Sequence, residues 1–359
     1  MRINRHILHN ALKELVRLAP LHHPMPVISD VLLLGTDDKL ILTTTDITTR
    51  LTCELQAQGT PIKAACVSAK SLVSMTKPIG KKVEDVTLES TGDEVTMITA
   101  NGNVFRLPAE DPQTFPAEPS DEDWEPAGEC QAKLLQAALA WVLPAASTDS
   151  SRPNLNSVLI CRDAVVATDG HRLHSMPGPF CPDQPLLFRS MAATALSHIL
   201  KRDDWVTITR RETEELRLHC GPWQLDTNSP DGQFPEYTRV IPRWEDQQVR
   251  MVFDSNNLRT ELTQIARLSS LGYIRMHISG PAIVLSPDDS YLNEASIIVT
   301  ALKSVHDGAN FEVGAQSKYL LDAIPRTGTV EVGLCKKKDN PILVRADGRL
   351  AVIMPADLG

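Results

Sequence analysis

Three side chains with catalytic potential stand close together in the segment VVATDGHRLHSMPG, residues 165–178. Asp169, His171 and Arg172 follow an apolar run that is typical of a buried strand. A histidine that acts as a general base needs a carboxylate to orient it, so Asp169 and His171 could form a hydrolytic dyad. An Asp on a turn more often closes the turn by accepting backbone N–H groups. The segment leaves two interpretations open, a hydrolase site and a structural turn.

The sequence lacks the other common signatures of catalysis and metal binding. It contains no GxxxxGK[ST], GxGxxG, HExxH or GxSxG pattern. The close histidine pairs, His22 with His23 and His171 with His174, lack the neighbouring cysteines or carboxylates of a zinc site. The seven cysteines are scattered without a CxxC pair, which favours reduced thiols. We therefore expect no cofactor, no metal and no membrane span.

The elements that must position this segment recur along the chain. Helix-like apolar patterns begin near residues 9, 132 and 256, and a second helix pattern follows each at a similar offset. A strand that runs into a TD or DD turn lies between each pair of helices, so Asp46 and Asp169 are interpreted as turn caps. Linkers rich in Pro and acidic residues, 115–129 and 234–250, separate the copies. The pattern predicts an α+β chain of three tandem domains, 1–121, 122–246 and 247–359.

Basic residues collect on the predicted helices of an otherwise acidic chain. The formal net charge is −9, which argues against binding to nucleic acid through overall charge. Acidic residues gather in the first linker and on strand segments. The helix-borne basic residues are Lys13, Arg17, Lys70, Lys77, Lys201, Arg202, Arg259, Arg267 and Lys318. This segregation predicts one positive face formed by helices.

Five segments in order along the chain resemble a known family. They are TTTDITTRL, VATDGHRL, DGQFPEYTRVIP, FEVGAQSKYLLDAI and VIMPADL, and the chain is similar in them to the bacterial sliding clamp, the beta subunit of DNA polymerase III. The resemblance implies a homodimeric ring, closed head to tail, in which helices line the hole and antiparallel sheets form the outside. It implies a cytoplasmic, nucleoid-associated processivity factor without catalysis. Its implied partners are double-stranded DNA, the polymerase III alpha subunit, the clamp loader and other proteins with a clamp-binding motif.

The same resemblance implies three sets of site residues. The first lines a peptide-binding cleft between domains two and three: Leu155, Thr168, Gly170, His171, Arg172, Leu173, Pro235, Arg239, Val240, Gln316, Tyr319, Val352, Ile353, Met354 and Pro355. The second faces DNA: Lys13, Arg17, His22, Lys70, Arg152, Lys201 and Arg202. The third joins the two chains of the ring: Phe105, Leu107 and Leu268.

Several positions depart from the family pattern. The chain ends in MPADLG, where the family often has a larger apolar or basic residue after Met-Pro. Gln316 stands where Asn is common, His22 lies near the place of an arginine, and the loop 269–273 is short. These departures keep two alternatives open beside the clamp: a specialised clamp paralogue with restricted partners, and a hydrolase that uses Asp169 and His171.

Overall fold

The computed structural model describes residues 1–20, 23–77, 84–180, 182–200, 204–211, 214–288, 295–306, 308, 310–337 and 340–358. The chain divides into two compact units. The first unit comprises Met1–Gln136 with Pro179–Pro230, and the second comprises Ala137–Gly178 with Asp231–Gly359. The domain boundaries near 122 and 246 follow the sequence repeat and stay a prediction.

In the described residues, six α-helices form where the repeated apolar pattern predicts them, each directly after a strand. Polar caps fix two of the starts: Asn4 Oδ1 accepts the His6 N–H at 3.0 Å, and Asp254 Oδ1 accepts the Asn257 N–H at 2.8 Å. The helices are α1 Arg5–Leu18, α2 Ala69–Thr76, α3 Ala132–Val142, α4 Ser190–Ile199, α5 Ser255–Ala266 and α6 Ser317–Ala323. Helix α1 buries Leu8, Leu12 and Leu15, which confirms the amphipathic pattern.

The first unit is built on two antiparallel sheets. Its strands are β1 Arg2–Asn4, β2 Asp30–Gly35, β3 Lys39–Thr45, β4 Thr49–Gln56, β5 Ala65–Ser68, β6 Asp85–Ser90, β7 Glu94–Thr99, β8 Val104–Pro108, β9 Glu125–Gln131, β13 Leu186–Arg189, β14 Trp205–Arg210, β15 Glu215–Cys220 and β16 Trp223–Asn228. One sheet has the order β1-β6-β7-β8, and the other has the order β5-β2-β3-β4-β16-β15-β14-β9; strand β13 belongs to neither of these two sheets. Strand β16 pairs with β4, although the two are far apart in sequence.

The second unit repeats this design. Its strands are β10 Ser157–Ile160, β11 Ala164–Thr168, β12 Arg172–Pro177, β17 Val249–Asp254, β18 Tyr273–Ser279, β19 Ala282–Pro287, β20 Ile297–Thr300, β21 Lys303–His306, β22 Phe311–Gln316, β23 Thr329–Leu334, β24 Ile342–Ala346 and β25 Arg349–Ile353. They follow one another in the orders β10-β11-β12-β25-β24-β23-β17-β21 and β20-β19-β18-β22. Strand β25 pairs with β12 as β16 pairs with β4.

The predicted fold class is confirmed: the chain is α+β, with tandem copies of a module of helices and antiparallel strands. Among the described residues, no helix is both long and apolar enough to span a membrane. Cys53, Cys66, Cys130, Cys161, Cys220 and Cys335 form no disulfide, and Cys181 lies outside the described residues. Burial raises the pKa of the Cys66 and Cys130 thiols to about 12. These two thiols are therefore protonated and unreactive near neutral pH.

Candidate functional site

The TDGHR turn between β11 and β12 is closed by its own polar side chains. Thr168 Oγ1 accepts the Gly170 N–H at 3.1 Å and donates to the Arg172 carbonyl at 2.6 Å. Asp169 Oδ1 accepts the N–H groups of His171 and Arg172, each at 2.9 Å. Gly170 has a φ of 92°, a left-handed conformation that glycine adopts without steric cost. Asp169 therefore caps the turn, as the structural interpretation predicted.

The geometry does not assemble a hydrolytic dyad. The second oxygen of the Asp169 carboxylate pairs with Arg172 Nε at 3.1 Å. His171 contacts Asp169 through its backbone N–H, whereas a catalytic carboxylate orients a histidine through a ring nitrogen. The His171 side chain is exposed. This arrangement favours a structural role for Asp169 in the turn over catalysis.

Arg172 is a buried anchor of the second unit. Its side chain pairs with Asp322 of α6 through Nη1 at 2.6 Å and donates to the Pro144 carbonyl through Nη2. The guanidinium lies 4.2 Å from the centroid of the Tyr319 ring. Burial, followed by the charge of Asp169, raises the pKa of Tyr319. Each nitrogen of the Arg172 guanidinium thus has a partner inside the protein.

Strand alternation divides the predicted cleft residues into two groups. Across the β12–β25 pair, Leu173 lies opposite Val352 and Arg172 lies opposite Ile353. Because neighbouring residues of a strand point to opposite faces, each group has its own face. Leu173, Leu343 and Val352, together with Ala164 and Val166, form one buried apolar cluster. We call Leu173, Leu343 and Val352 the apolar floor of the candidate cleft. Arg172 and the fully buried Ile353 lie on the opposite face.

The linker after residue 233 packs on the apolar floor. Phe234, Tyr237, Ile241 and Trp244 are partly buried against the cluster. Burial and the nearby Cys161, whose Sγ lies 3.4 Å from the Tyr237 hydroxyl, raise the pKa of Tyr237. The sequence prediction named none of these four linker residues. The spacing of apolar residues in FPEYTRVIPRW was a signal that could have indicated them.

Exposed apolar side chains surround this packed region. Val240 is 54% exposed and Met354 is 42% exposed, while Pro235 is also exposed. The Met354 N–H donates to the His171 carbonyl at 2.9 Å, which joins the end of β25 to the turn. Exposed apolar groups beside an apolar cluster are the kind of surface that binds a Leu or Phe side chain of a peptide.

The other predicted cleft residues vary in exposure. Leu155 is buried, and its carbonyl accepts the Ser147 N–H at 3.0 Å. Gln316 and Pro355 are partly exposed. Arg239 is exposed, and its Nε pairs with the neighbouring Glu236 at 2.5 Å. A peptide carboxylate would therefore compete with Glu236 for Arg239.

An open groove of about 600 Å³ extends along the second unit from the apolar floor. Leu343 and Leu350 are its apolar leucine lining. The Arg345 guanidinium stands 4.9 Å from the centroid of the Trp244 ring in the wall. Its further lining residues are Ile241, Pro242, Thr329, Glu331, Ala346, Asp347, Gly348 and Arg349. This groove adds room beside the predicted cleft that the sequence did not indicate.

The C-terminal residues leave the cleft after Met354. Ala356 bridges to Gly314 of β22, where its N–H donates to the Gly314 carbonyl at 2.8 Å. The Leu358 carbonyl accepts from Arg275 Nη2 at 2.6 Å. A Cβ on Gly314 would lie 2.5 Å from the Ala356 carbonyl oxygen, so glycine is needed for this close approach. The unusual ADL terminus is thus fixed along β22.

The predicted DNA-facing residues are exposed where the structure describes them. Lys13 and Lys70 are exposed on α1 and α2. Arg17 pairs with Glu14 at 2.9 Å, and Arg152 pairs with its neighbouring Asp149 at 3.0 Å. The predicted His22, Lys201 and Arg202 lie outside the described residues. The sequence prediction omitted Lys133, which is exposed on α3.

The predicted ring contacts are apolar and accessible. Phe105 is 37% exposed and Leu268 is 42% exposed, while Leu107 is partly exposed. Strand β8, which carries Phe105 and Leu107, is an edge of its sheet. An unprotected edge with apolar side chains is a surface to which another chain can pair.

The chain is similar in sequence to bacterial beta sliding clamps. Residues 1–119 match the family described as DNA polymerase III beta subunit, N-terminal domain. The beta sliding clamp of Pseudomonas aeruginosa is 27% identical over 92% of this chain and 91% of its own length. The beta sliding clamp of Chlamydia pneumoniae is 22% identical over 99% of this chain and 98% of its own length.

The fold is shared with solved structures. The DNA polymerase III beta subunit of Thermotoga maritima has a TM-score of 0.86 at 19% identity and covers 100% of this chain and 99% of its own. The corresponding subunit of Borrelia burgdorferi, solved in complex with a natural product, has a TM-score of 0.88 at 14% identity, with 100% and 98% covered. Residues 1–119 thus match the N-terminal domain of the DNA polymerase III beta subunit, and the chain is similar to bacterial beta sliding clamps along nearly its whole length, with which it shares its fold.

Proposed function

We propose that the chain acts as a DNA sliding clamp, a ring that encircles duplex DNA and holds other replication proteins on it. The observation that carries this proposal is the separation of charge. The six described helices contain seven Lys or Arg residues and three Asp or Glu residues, although the chain as a whole has a net charge of −9. In the proposed ring these helices line the hole, and the sheets face outward.

The physical logic of a clamp fits weak, diffuse positive charge. Tight contacts to many phosphates release counterions and hold a protein in place. A clamp must slide, so its retention has to come from closure around the DNA. The pairs Arg17 with Glu14 and Arg152 with Asp149 already reduce the charge that these arginines offer to phosphates. Few exposed cations then suffice to attract the duplex without holding it.

A second copy of the chain completes the ring in this proposal. Phe105, Leu107 and Leu268 supply exposed or partly exposed apolar contacts for a head-to-tail interface, which a two-fold dimer ring would use twice. Catalysis has no part in this function, because the Asp169 carboxylate is occupied by the turn and by Arg172.

Retention on DNA tests the clamp directly. With a bacterial clamp loader and ATP, we expect the protein to stay on nicked circular DNA at least about tenfold longer than on linear DNA of the same sequence, because only a closed ring depends on DNA ends for release. Release is measured by gel filtration of the labelled protein at moderate salt. Molecular mass in solution should correspond to a dimer.

Charge variants supply the control for this assay. The double variant Lys13→Glu/Lys70→Glu reverses two exposed helix cations, and it should load less well than wild type. Lys63→Glu, an exposed change outside the helices, should load as wild type does. Equal release from circular and linear DNA would rule out the clamp.

We propose further that partner proteins bind through short peptides at the candidate cleft. The exposed Val240 and Met354, beside the apolar floor, would receive a Leu or Phe anchor, and Met adapts its shape to varied partners. The polymerase III alpha subunit and the clamp loader are the expected partners. The proposed cleft lies next to the TDGHR turn, so the turn would help to shape the site.

Changing the exposed apolar rim should remove peptide binding. The variant Val240→Asp/Met354→Asp is expected to weaken binding of a Leu- and Phe-anchored peptide by about 30-fold or more, since the loss of even one such anchor contact costs about 2 kcal/mol. Both side chains are exposed, so the fold should persist. Binding is measured by fluorescence polarisation. Val305→Asp, at a residue that is 58% exposed, is the control and should bind as wild type does. Unchanged affinity of the double variant would place the peptide elsewhere.

A specialised clamp paralogue is the second candidate function. The observation that favours it is the terminus, since Ala356 and Leu358 are held along β22 by Gly314 and Arg275. A larger or basic residue after Pro355 is therefore missing from the cleft. Peptide binding without loading onto circular DNA would support the paralogue.

A further inference from the structure

The backbone frame of the candidate cleft occurs a second time, in the first unit. In the turn between β3 and β4, Thr45 Oγ1 accepts the Ile47 N–H at 3.0 Å and donates to the Thr49 carbonyl at 2.8 Å. Asp46 Oδ1 accepts the N–H groups of Thr48 and Thr49 at 3.0 and 2.7 Å. This is the hydrogen-bond pattern of the TDGHR turn. The positive φ also recurs, at 81° for Ile47.

The strands next to this turn pair in the same register as the strands of the candidate cleft. Their side chains at the corresponding positions are charged, whereas those of the cleft are apolar. Arg50 of β4 lies opposite Asp226 of β16, and Asp226 lies opposite Arg217 of β15. In the second unit, the residues at these same three positions form the apolar floor. We call Arg50, Arg217 and Asp226 the charged floor.

The charged floor is as buried as its apolar counterpart. Arg50, Arg217 and Asp226 are 7%, 6% and 5% exposed. Arg217 Nε pairs with Asp226 Oδ1 at 2.5 Å, and Asp226 Oδ2 accepts from the Gln224 amide at 2.9 Å. Buried charges are tolerated when they are paired and hydrogen-bonded, and leaving one without its partner is strongly unfavourable.

The linker segment 116–124, which we call the acidic strap, supplies further partners for these charges. Arg50 Nη2 donates to the Ala117 carbonyl at 2.7 Å and also to the Pro116 carbonyl. Arg217 Nη1 pairs with Asp121 at 2.6 Å. The strap therefore contacts both arginines of the charged floor.

The end of the strap is held by ring stacking. The Trp124 ring contacts two guanidinium groups. Its centroid lies 4.3 Å from the Cζ atom of Arg217 and 4.4 Å from the Cζ atom of Arg211. Arg211 also donates to the Glu122 carbonyl at 2.9 Å and to the Ser120 carbonyl. The pocket that remains here, lined by Arg50, Trp124 and Asp226 among others, measures about 140 Å³, against about 600 Å³ for the groove of the second unit.

We propose that the acidic strap is an intramolecular ligand of a second copy of the cleft, and that the strap and the charged floor exclude apolar peptides from this copy. The exclusion rests on the proposed peptide binding, whereas the attachment of the strap does not. An apolar anchor would have to displace the strap and leave Arg50 and Arg217 without its oxygens. Each chain therefore offers one peptide site although its backbone builds the frame twice.

Proteolysis tests the attachment of the strap in the intact protein. A Glu-specific protease should cut Arg217→Met at Glu118 and Glu122 about tenfold faster than wild type, because cleavage follows the population of locally opened chain. Asp121→Asn should give a smaller increase, and its side chain is 89% exposed, so this variant keeps the fold. Arg345→Met, which removes an arginine from the Trp244 ring in the second unit, is the control and should not change cleavage. Equal cleavage of wild type and both strap variants would overturn the proposal.

Peptide stoichiometry tests the exclusion. Calorimetric titration of wild type with a Leu- and Phe-anchored peptide should give one site per chain. The variant Arg50→Leu/Arg217→Leu/Asp226→Val, which copies the apolar floor, should give a second site. Arg217→Leu is titrated beside it, because it changes one buried residue and still removes the ties to Asp121 and Asp226.

The outcomes separate the two proposals. A folded variant that releases the strap to protease yet binds one peptide per chain would refute the exclusion. Absence of peptide binding by wild type would instead count against the proposed function and leave the protease result to decide the attachment of the strap.

Discussion

Replacing Arg172 by Ala is expected to destabilise the protein by about 3–5 kcal/mol, the cost of breaking a buried ion pair from one side. The substitution leaves Asp169 and Asp322 without their cation, and their side chains are 15% and 26% exposed. It also removes the donor to the Pro144 carbonyl and the cation over the Tyr319 ring. Urea unfolding should show the transition of Arg172→Ala at much lower denaturant than that of wild type.

Arg239→Ala is the matched control, since it removes a second arginine that the sequence predicted for the same cleft. The Arg239 side chain is 79% exposed and pairs with Glu236, whose side chain is 70% exposed. Its loss should change the free energy of unfolding by no more than about 0.5 kcal/mol. If both variants unfold at the denaturant concentration of wild type, Arg172 is not the anchor described above.

The contrast between these two arginines shows how far the sequence could lead. The TDGHR pattern was enough to predict that Asp169 caps a turn, because that interaction spans three residues. Strand parity already required Arg172 and Leu173 to face opposite sides once β12 was placed. The partner of Arg172, in contrast, is Asp322, which lies 150 residues away. No local pattern predicts a pairing over such a distance.

Long-range packing also explains what the sequence missed in the linkers. The composition of Pro, Asp and Glu at 115–129 predicts a linker but says nothing of what the linker packs on. The structure attaches Pro116 and Asp121 to the buried arginines Arg50 and Arg217. Trp124 was the local signal, since a tryptophan in an acidic linker needs a surface to pack on. The helices were predicted well because their apolar period is a local property.

The predicted DNA-facing residues differ in how much positive charge they can offer to DNA. Arg17 and Arg152 were predicted to face DNA because they are basic, and each is paired with a carboxylate three residues earlier. That spacing is visible in the sequence, and for Glu14 and Arg17 on α1 it is the usual spacing of a side-chain pair on one helical turn. Lys13 and Lys70 remain the clearer cations for a DNA-facing surface.

His174 makes the second unit sensitive to acid. The side chain is fully buried on β12 and stacks on Trp141, with ring centroids 4.9 Å apart. Its Nδ1 lies 2.8 Å from the Trp141 carbonyl, which can only accept, so Nδ1 carries the proton of the neutral ring. Among the described atoms, the buried Nε2 has no hydrogen-bond partner, so a second proton there would be left without an acceptor. Burial, with a contribution from the nearby Arg172, lowers the pKa of His174 from 6.5 to about 4.

A lowered pKa in the folded state makes stability fall as the pH falls. Above pH 6.5 the imidazole is neutral in both states, and the full stability is present. Between pH 6.5 and about 4 the unfolded chain binds a proton that the folded chain does not, so unfolding becomes more favourable. Below about pH 4 both states are protonated, and this contribution stays constant. The loss that His174 causes across this interval is about 3 kcal/mol.

The expected result is a difference between two pH profiles of unfolding free energy, measured by urea titration from pH 7.5 to pH 4. Wild type should lose about 3 kcal/mol more than His174→Gln over this interval, because glutamine does not titrate. The variant will be less stable at neutral pH, so the slopes are compared and not the absolute values. His277→Gln, at an exposed position on β18, should reproduce the wild-type slope. Parallel profiles for wild type and His174→Gln would mean that the buried imidazole takes up its proton as easily in the folded protein as in the unfolded chain, contrary to its buried environment.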